Sequence, residues 1–272
     1  ENVVGMQREN QQITTEPGLQ CELSGAPLEN IHQVCNASSK FLKEIERASK
    51  GLNISTVSIG FDPFNNLSEV PQSPKTRYKI MTSEMPKEGK QSLDMMYRTC
   101  GIQINYDYIS ESNFEKIFRL GNYLTPLTIA LYSNSPFESG KATGYYSYRN
   151  KVWQNTSRGG IMPIAFEKMT FEKYFDYVIE YPILFAIRDK YIEPNGQSFK
   201  DFILGNFSNV KDEANLKDFE THLATIFTEV RLKQIIEVRS LDACDWQCLC
   251  DGPAFFTGLF YNSLDEAFEI AM

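Results

Sequence analysis

The sequence predicts an α+β fold built around an antiparallel sheet. Strand-like and helix-like segments follow one another in a mixed order, which favours this class over a strictly alternating α/β fold. Three stretches carry polar side chains on alternate residues with apolar residues between them, as in strands that rest one face on a core. The 272 residues, 42% of them hydrophobic and 13% aromatic, are enough to bury a sizeable core.

The first half of the chain predicts one helix and two extended regions after the first strand. Apolar residues at helical spacing predict an amphipathic helix over 27–50. A β-rich run over 54–61 leads into a proline-containing loop. The region 93–108 then supplies a strand whose outer positions are amides and an acid.

A second long helix is predicted from a capping signal. Ser112 and Glu115 have the Ser-x-x-Glu spacing of a capping box and open an apolar helix to about residue 132, with a bend or break expected before Pro126. The loop over 134–160 is rich in Gly, Asn and Ser, and such loops often carry substrate-binding groups. The remaining predicted segments are helices over 171–187, 198–204 and 216–226, a strand over 229–239, and closing helices after Trp246 and Ser263.

The alternating stretches predict a functional face on the sheet. They carry Glu16, Gln20 and Glu22 in the first strand, Gln103, Asn105 and Asp107 in the second, and Glu237 and Arg239 in the third. Carboxylate and amide oxygens suit a hard cation, and arginine suits an anion. The alternative is that these faces are only solvated, as is common for antiparallel sheets.

Composition excludes several classes of function. The formal charge of −8 and the absence of clustered Lys and Arg argue against a nucleic-acid partner. No apolar run approaches the roughly 20 residues of a membrane span, so no membrane partner is expected. Six cysteines without nearby histidines predict neither a disulfide scaffold nor a zinc site.

Four strings of residues, in order along the chain, resemble glutamate-cysteine ligase of the plant and proteobacterial type. They are Glu16-Pro-Gly-x-Gln-x-Glu-Leu-Ser-Gly-Ala-Pro27, Leu93-Asp-Met-Met-x-Arg-Thr-Cys100, Asn134-Ser-Pro-Phe137 with Gly140-Lys141, and Glu229-Val-Arg-Leu-Lys233 before Glu237-x-Arg239. The resemblance implies a curved antiparallel sheet with flanking helices, in the glutamine-synthetase-like carboxylate-amine ligase fold. It also implies the first step of glutathione synthesis, in which ATP activates the γ-carboxylate of L-glutamate for attack by L-cysteine.

The resemblance also implies roles for individual residues. It makes Arg239 the arginine beside the transferred phosphoryl group, Arg77 and Arg149 the substrate-binding arginines, and Arg231 and Asn105 the nucleotide-binding residues. The implied ligands of two or three Mg²⁺ ions are Glu16, Gln20, Glu22, Gln103 and Glu237. In the plant enzymes two cysteines at the positions of Cys35 and Cys250 form a bridge, so we expect these two to approach each other, although two buried free thiols are the alternative.

Two features depart from the family pattern. The family's upstream Glu-x-Glu strand is not found, so we expect residues 1–272 to form a single catalytic domain truncated at its N-terminus and at its C-terminus. Ile183, Leu184 and Phe185 differ from the plant form, in which a tyrosine is expected nearby. A ligase that uses a different amine, and a non-catalytic fragment, are therefore the alternatives. A cytoplasmic location is expected, or a plastid for a plant-like source, and the sequence does not fix the oligomeric state.

Overall fold

The computed structural model describes residues 3–193, 196–208 and 212–272. Within these ranges the helices are α1 (Ile31–Lys50), α2 (Thr76–Glu84), α3 (Ser92–Arg98), α4 (Glu111–Leu131), α5 (Tyr148–Gln154), α6 (Phe171–Ile179), α7 (Phe199–Ile203), α8 (Leu216–Leu223), α9 (Trp246–Thr257) and α10 (Leu264–Ala271). The strands are β1 (Gly5–Arg8), β2 (Gln11–Thr15), β3 (Cys21–Ser24), β4 (Gly101–Tyr106), β5 (Phe137–Glu138), β6 (Lys141–Ala142), β7 (Gly159–Gly160), β8 (Ala186–Ile187), β9 (Tyr191–Ile192), β10 (Phe227–Thr228), β11 (Val230–Leu232) and β12 (Ile236–Asp242). This mixture of helices and antiparallel sheets confirms the predicted α+β class.

The central antiparallel sheet has the strand order β11-β12-β4. Glu237 of β12 lies opposite Arg231 on one side and Asn105 on the other, and Val238 lies opposite Ile104. Because side chains alternate between the two faces of a strand, the polar residues share one face. The strands also contact helices, β12 against α4 and β4 against α9. The alternation in the sequence therefore correctly predicted a polar and an apolar face.

A second antiparallel sheet, β1-β2-β3, precedes α1. Its third strand carries Glu22, and the turn before that strand carries Gln20. The amide of Gln20 donates to the carbonyls of Met96 and Thr99, 3.1 and 3.2 Å away, at the junction between α3 and β4. In the described residues the predicted polar strands thus lie in two neighbouring sheets rather than in one continuous curved sheet.

The first predicted helix begins later than expected. Asn30 caps α1, since its side chain accepts the backbone N–H of Gln33 at 3.1 Å, and the helix therefore begins at Ile31. A side-chain oxygen at this position satisfies a donor that the helix itself leaves unpaired. The end of the helix at Lys50 agrees with the prediction.

The β-rich run over 54–61 does not form a strand, so that prediction was wrong. Only an isolated bridge joins Phe61 to Thr99. Ile54 and Val57 are 56% and 69% exposed, so their β-branched side chains pack on no sheet surface that would stabilise an extended pairing.

Helix α4 is continuous across its proline. Its N-cap is Ser110, which accepts the backbone N–H of Asn113, rather than the predicted Ser112. Pro126 lies inside the helix without ending it. The helix packs against the sheet on both sides of the proline, and the hydroxyls of Thr128 and Ser240 share a 2.8 Å hydrogen bond.

Later boundaries also shift. The predicted helix over 171–187 ends at Ile179, before Pro182, and residues 186–187 form β8 instead. The predicted strand over 229–239 is the hairpin of β11 and β12, which continues to Asp242. Helices α7 and α8 lie within the predicted ranges 198–204 and 216–226.

The buried apolar residues form two clusters. The larger one fills the space between the central sheet and its helices, and it includes Ile104, Phe118 and Val238. The smaller one contains Tyr78, Trp153 and Leu184. No helix in the described ranges has the length and apolar character needed to cross a membrane.

Candidate active site

A charged cluster occupies the polar face of the β11–β12 hairpin. Glu237 accepts a short hydrogen bond from Nε of Arg231, and its carboxylate lies 3.3 Å from Nη1 of Arg239 and 3.5 Å from Nζ of Lys233. Burial raises the pKa of Glu237, but these three cations together hold it well below its usual range. Three cations therefore surround the single carboxylate of Glu237.

Arg239 is confined at the centre of this cluster. It is 5% exposed, and its Nη1 donates to Oε1 of Gln103 at 2.9 Å. Burial, followed by the charge of Arg231, lowers the pKa of Arg239 to about 10, so the guanidinium is still charged at neutral pH. Its Nε has no hydrogen-bond partner among the described residues. A buried guanidinium with an unused donor is suited to an incoming anion.

Arg149 lies behind Arg239. Its Nη2 donates to the backbone carbonyl of Arg239 at 2.8 Å, and its side chain is 1% exposed. Gly101 makes room for it, because a Cβ there would lie 2.8 Å from Nη2. The guanidinium of Arg149 is therefore buried in this structure and does not face solvent. This geometry favours a supporting role for Arg149 over the direct grip on a substrate carboxylate that we expected.

Asp242 fastens the loop that carries Arg149. Its Oδ2 accepts the backbone N–H of Asn134 at 2.8 Å and the hydroxyl of Ser135 at 2.6 Å, and its Oδ1 accepts the hydroxyl of Ser147 at 2.9 Å. Ser135 Oγ in turn accepts the backbone N–H of Arg149 at 3.1 Å. One buried carboxylate therefore joins both ends of the loop to the last residue of β12.

Tyr78 links two of the predicted site residues. Its hydroxyl donates to Oε2 of Glu16 at 3.0 Å and accepts from Nη2 of Arg77 at 2.6 Å. The guanidinium of Arg77 also lies 4.6 Å from the centre of the tyrosine ring. Arg77 itself is exposed, so it is accessible to a substrate anion.

The predicted carboxylate ligands approach one another without forming a metal site. Burial, and next the charge of Glu16, raise the pKa of Glu22, while Arg239 lowers it and Glu237 raises it further. Glu22 is therefore within electrostatic range of both other carboxylates. In the part of the chain that the structure describes, no group of three or more His, Cys, Asp or Glu side chains is arranged to hold a metal ion.

The predicted amide ligands are already engaged. Gln20 accepts the backbone N–H of Gly18 at 2.8 Å and donates to two carbonyls, so it pins a turn instead of offering an oxygen to a cation. Gln103 uses its Oε1 to accept from Arg239. Asn105 is exposed beside Glu237, where a nucleotide phosphate could reach it. The present arrangement of these residues does not fit a preformed Mg²⁺ site.

Comparison with known proteins identifies the family. The family described as glutamate-cysteine ligase family 2 (GCS2) matches residues 2–271. The chain belongs to this family. Three relatives illustrate the match: "Glutamate--cysteine ligase B, chloroplastic" of Oryza sativa subsp. japonica is 44% identical over 266 residues, covering 96% of this chain and 54% of that protein. The "Glutamate--cysteine ligase, chloroplastic" proteins of Nicotiana tabacum and Arabidopsis thaliana are 42% and 41% identical over 269 and 267 residues, covering 97% and 96% of this chain and 52% and 51% of theirs.

The chain spans about half the length of these glutamate-cysteine ligases. The names of these relatives place them in the chloroplast, which gives the cytoplasmic expectation no support. The family's expected cysteine pair is present: Cys35 of α1 and Cys250 of α9 form a disulfide with Cα atoms 5.2 Å apart. That separation lies within the range a disulfide requires.

Three residues of this glutamate-cysteine ligase family member support the cluster but were not predicted from the sequence. Trp153 lies against Arg149 and Arg239, Tyr78 joins Arg77 to Glu16, and Asp242 holds the loop. A signal existed for Asp242, which ends the same strand as Glu237 and Arg239. No local pattern marks Trp153 or Tyr78, because each stands as a single aromatic residue among mostly polar neighbours and meets distant partners only in the folded chain.

Proposed function

We propose that the chain carries the phosphoryl-transfer centre of a glutamate-cysteine ligase. ATP would phosphorylate the γ-carboxylate of L-glutamate, and the amine of L-cysteine would then displace phosphate to give γ-glutamylcysteine. The observation that carries the proposal is the set of three cations around Glu237, in a member of this family. Phosphoryl transfer needs positioned reactants and positive charge beside the transferred group. We also infer that the two antiparallel sheets belong to the glutamine-synthetase-like ligase fold.

The proposed roles follow from charge and from the position of each residue around Glu237. Arg239, with an unused donor, neutralises the oxygens of the transferred phosphoryl group. Arg231 and Asn105, which flank Glu237 on neighbouring strands, hold the nucleotide phosphates. Arg77 binds a carboxylate of glutamate, because a guanidinium offers a carboxylate two parallel hydrogen bonds. Arg149 positions Arg239 from behind.

The proposal includes Mg²⁺, which would bind together with ATP. Mg²⁺ is usually held by one or two carboxylates together with substrate phosphates, so a preformed cage of protein ligands is not required. Glu16 and Glu22 are the proposed carboxylates, since Glu237 is already paired with Arg231. We expect Glu22→Gln to raise the Mg²⁺ concentration that gives half-maximal activity, with Glu46→Gln, an exposed change on α1, as the control.

The central test is the substitution Arg239→Lys in the protein at its natural length. It keeps the charge and removes the planar fork of donors, and we expect kcat for glutamate- and cysteine-dependent phosphate release to fall roughly a hundredfold or more. Arg119→Lys is the matched control, because Arg119 is similarly shielded but pairs with Glu115 on α4. An unchanged kcat in the Arg239 variant would exclude the proposed role.

The amine substrate needs its own test. Leu184 and Phe185 are buried in the apolar cluster that contains Trp153, where the plant form was expected to offer a tyrosine. We propose cysteine as the amine. A screen of amines against the full-length protein, following phosphate release, should give the highest kcat/KM with L-cysteine; a better amine would favour the alternative ligase of the same fold.

A further inference from the structure

Trp153 provides one surface for two guanidinium groups. The guanidinium carbons of Arg149 and Arg239 lie 4.5 and 5.0 Å from the centre of its ring. The side chain is 3% exposed, and its Nε1 donates to Oγ1 of Thr99 at 3.3 Å. The ring is therefore held in a fixed orientation by burial and by a hydrogen bond to the residue two positions before β4.

The two arginines create an electrostatic problem that the ring can relieve. They are 1% and 5% exposed, so water screens their mutual repulsion poorly. Acidic groups offer incomplete compensation. Glu237, 3.3 Å from Nη1 of Arg239, is shared with Arg231 and Lys233, and Asp242, 3.9 Å from Nη1 of Arg149, already accepts three hydrogen bonds. Burial raises the pKa of Glu229, the third carboxyl group near both arginines, to about 7, so that it is only partly charged. The negative face of an indole attracts cations, and this attraction is strongest where water is excluded.

A single direct hydrogen bond holds the guanidinium of Arg149 and does not by itself fix the plane of the group. Its Nε and Nη1 have no hydrogen-bond partner among the described residues, and its Nη2 binds only the backbone carbonyl of Arg239. The ring of Trp153 is thus a main constraint on the plane of that group. Through it, Trp153 also constrains the segment of β12 that presents Arg239.

We propose that Trp153 is a positioning residue for Arg239, whose ring holds the Arg149 and Arg239 guanidinium groups together so that Arg239 meets the transferred phosphoryl group in a fixed orientation. The inference rests on the proposed ligase function. Trp153 does not touch substrate; it acts through the two arginines.

The first test compares Trp153→Phe, which keeps a smaller aromatic face, with Trp153→Leu, which removes it. We expect kcat to fall roughly tenfold or more in the Leu variant and less in the Phe variant, while KM for glutamate changes by less than about threefold. Trp246→Phe is the control, since Trp246 is 48% exposed at the start of α9, and it should keep the parent kcat. Equal kcat in Trp153→Leu and the parent protein would overturn the proposal.

A double-mutant cycle separates positioning from packing. Trp153→Leu should lower kcat in the parent protein and, to a smaller extent, in an Arg149→Met background. We expect the fold-loss in the parent to be about three times the fold-loss in that background or more, because part of the effect of Trp153 passes through Arg149. The cavity that Trp153→Leu leaves is the same in both backgrounds, so the cavity alone cannot produce a difference between the two losses of kcat. Equal losses of kcat in both backgrounds would mean that Trp153 only fills space.

A spectroscopic measurement tests the contact without any turnover. The contribution of Trp153 to tryptophan emission is obtained as the difference between each protein and its Trp153→Phe variant, in the absence of substrates. We expect that contribution to change on Arg149→Met and not on Arg119→Met, which alters an arginine on α4. An unchanged contribution overturns the inference even if the ligase function holds. A changed contribution in a protein without ligase turnover overturns the proposed function and the positioning role with it.

Discussion

Glu229 is a buried carboxylate at the edge of the charged cluster. Its Oε1 accepts from Nδ2 of Asn150 at 3.0 Å, and its Oε2 has no hydrogen-bond partner among the described residues. Burial raises the pKa of Glu229 to about 7, although Arg149 and Arg239 oppose the shift. The group is therefore partly protonated at neutral pH, unlike an ordinary glutamate.

This raised pKa predicts a dependence of stability on pH. The native state binds the proton more tightly than the unfolded chain, so the contribution of Glu229 is complete below about pH 4.5 and is lost as the pH rises through about 7, by about 3 kcal/mol in all. Glu229→Gln mimics the protonated form and should remove this part of the slope. Urea unfolding at pH 5 and pH 8 measures it. Glu46→Gln should keep the parent slope, and equal slopes in the parent and the Glu229 variant would contradict the prediction.

Tyr78→Phe tests the link between Arg77 and Glu16 with the loss of a single oxygen. Losing a hydrogen bond to a charged group costs about 1.5 kcal/mol or more, so we expect KM for glutamate to rise roughly tenfold. Tyr106→Phe is the matched control: both tyrosines are 4% exposed, and the Tyr106 hydroxyl donates to the carbonyl of Pro253 instead. A rise in KM of similar size in both variants would point to general destabilisation.

At the scale of elements, the alternation of polar and apolar residues was informative where a strand packs its apolar face on the core, whereas the predicted cap at Ser112 was two residues away from the actual cap, Ser110. β4 and β12 were predictable because one face of each is apolar and packs on the core. The run over 54–61 has the same β-branched composition and forms no strand, because nothing in the fold covers it. The local sequence shows whether a segment has an apolar face, but only the folded chain shows whether another element covers that face.

The loop over 134–147 gives the prediction at this scale. Asp242 accepts three hydrogen bonds from it, and Gly60 lies so close that a Cβ there would be 2.5 Å from Cγ of Asp242. Asp242→Asn puts an NH₂ group opposite a donor and should destabilise the protein by about 3 kcal/mol. Amide hydrogen exchange should accelerate over 134–147 more than elsewhere. Asp265→Asn, 76% exposed on α10, should leave exchange in the loop unchanged.

At the scale of the whole molecule, the candidate site is a set of contacts between distant segments. Glu237 and Arg239 were predictable because one strand carries them both. Trp153 was not, since its partner Arg239 lies on another element, β12, and their contact exists only after the loop docks. The contacts of Gln20 were not predictable for the same reason, because its amide donates to carbonyls of α3 and of the residue that follows α3.

The disulfide Cys35–Cys250 gives the last prediction, because it acts on the chain as a whole. Helix α1 has no fully buried residue and is held mainly against α9, to which the bridge fastens it. The two cysteines are 215 residues apart, and closing a loop of that length should stabilise the protein by about 5 kcal/mol in the chain-entropy model, less any strain.

We therefore expect Cys35→Ser to lower the free energy of unfolding by several kcal/mol under oxidising conditions, and a reductant to lower the parent protein to the same level. Cys21→Ser is the control, because Cys21 is an exposed free thiol. Denaturant unfolding with and without reductant measures both effects. Because the bridge restricts the unfolded chain more than it changes the folded one, the reduced protein should keep its secondary structure. An unfolding midpoint that is identical with and without reductant would show that the bridge contributes nothing to stability.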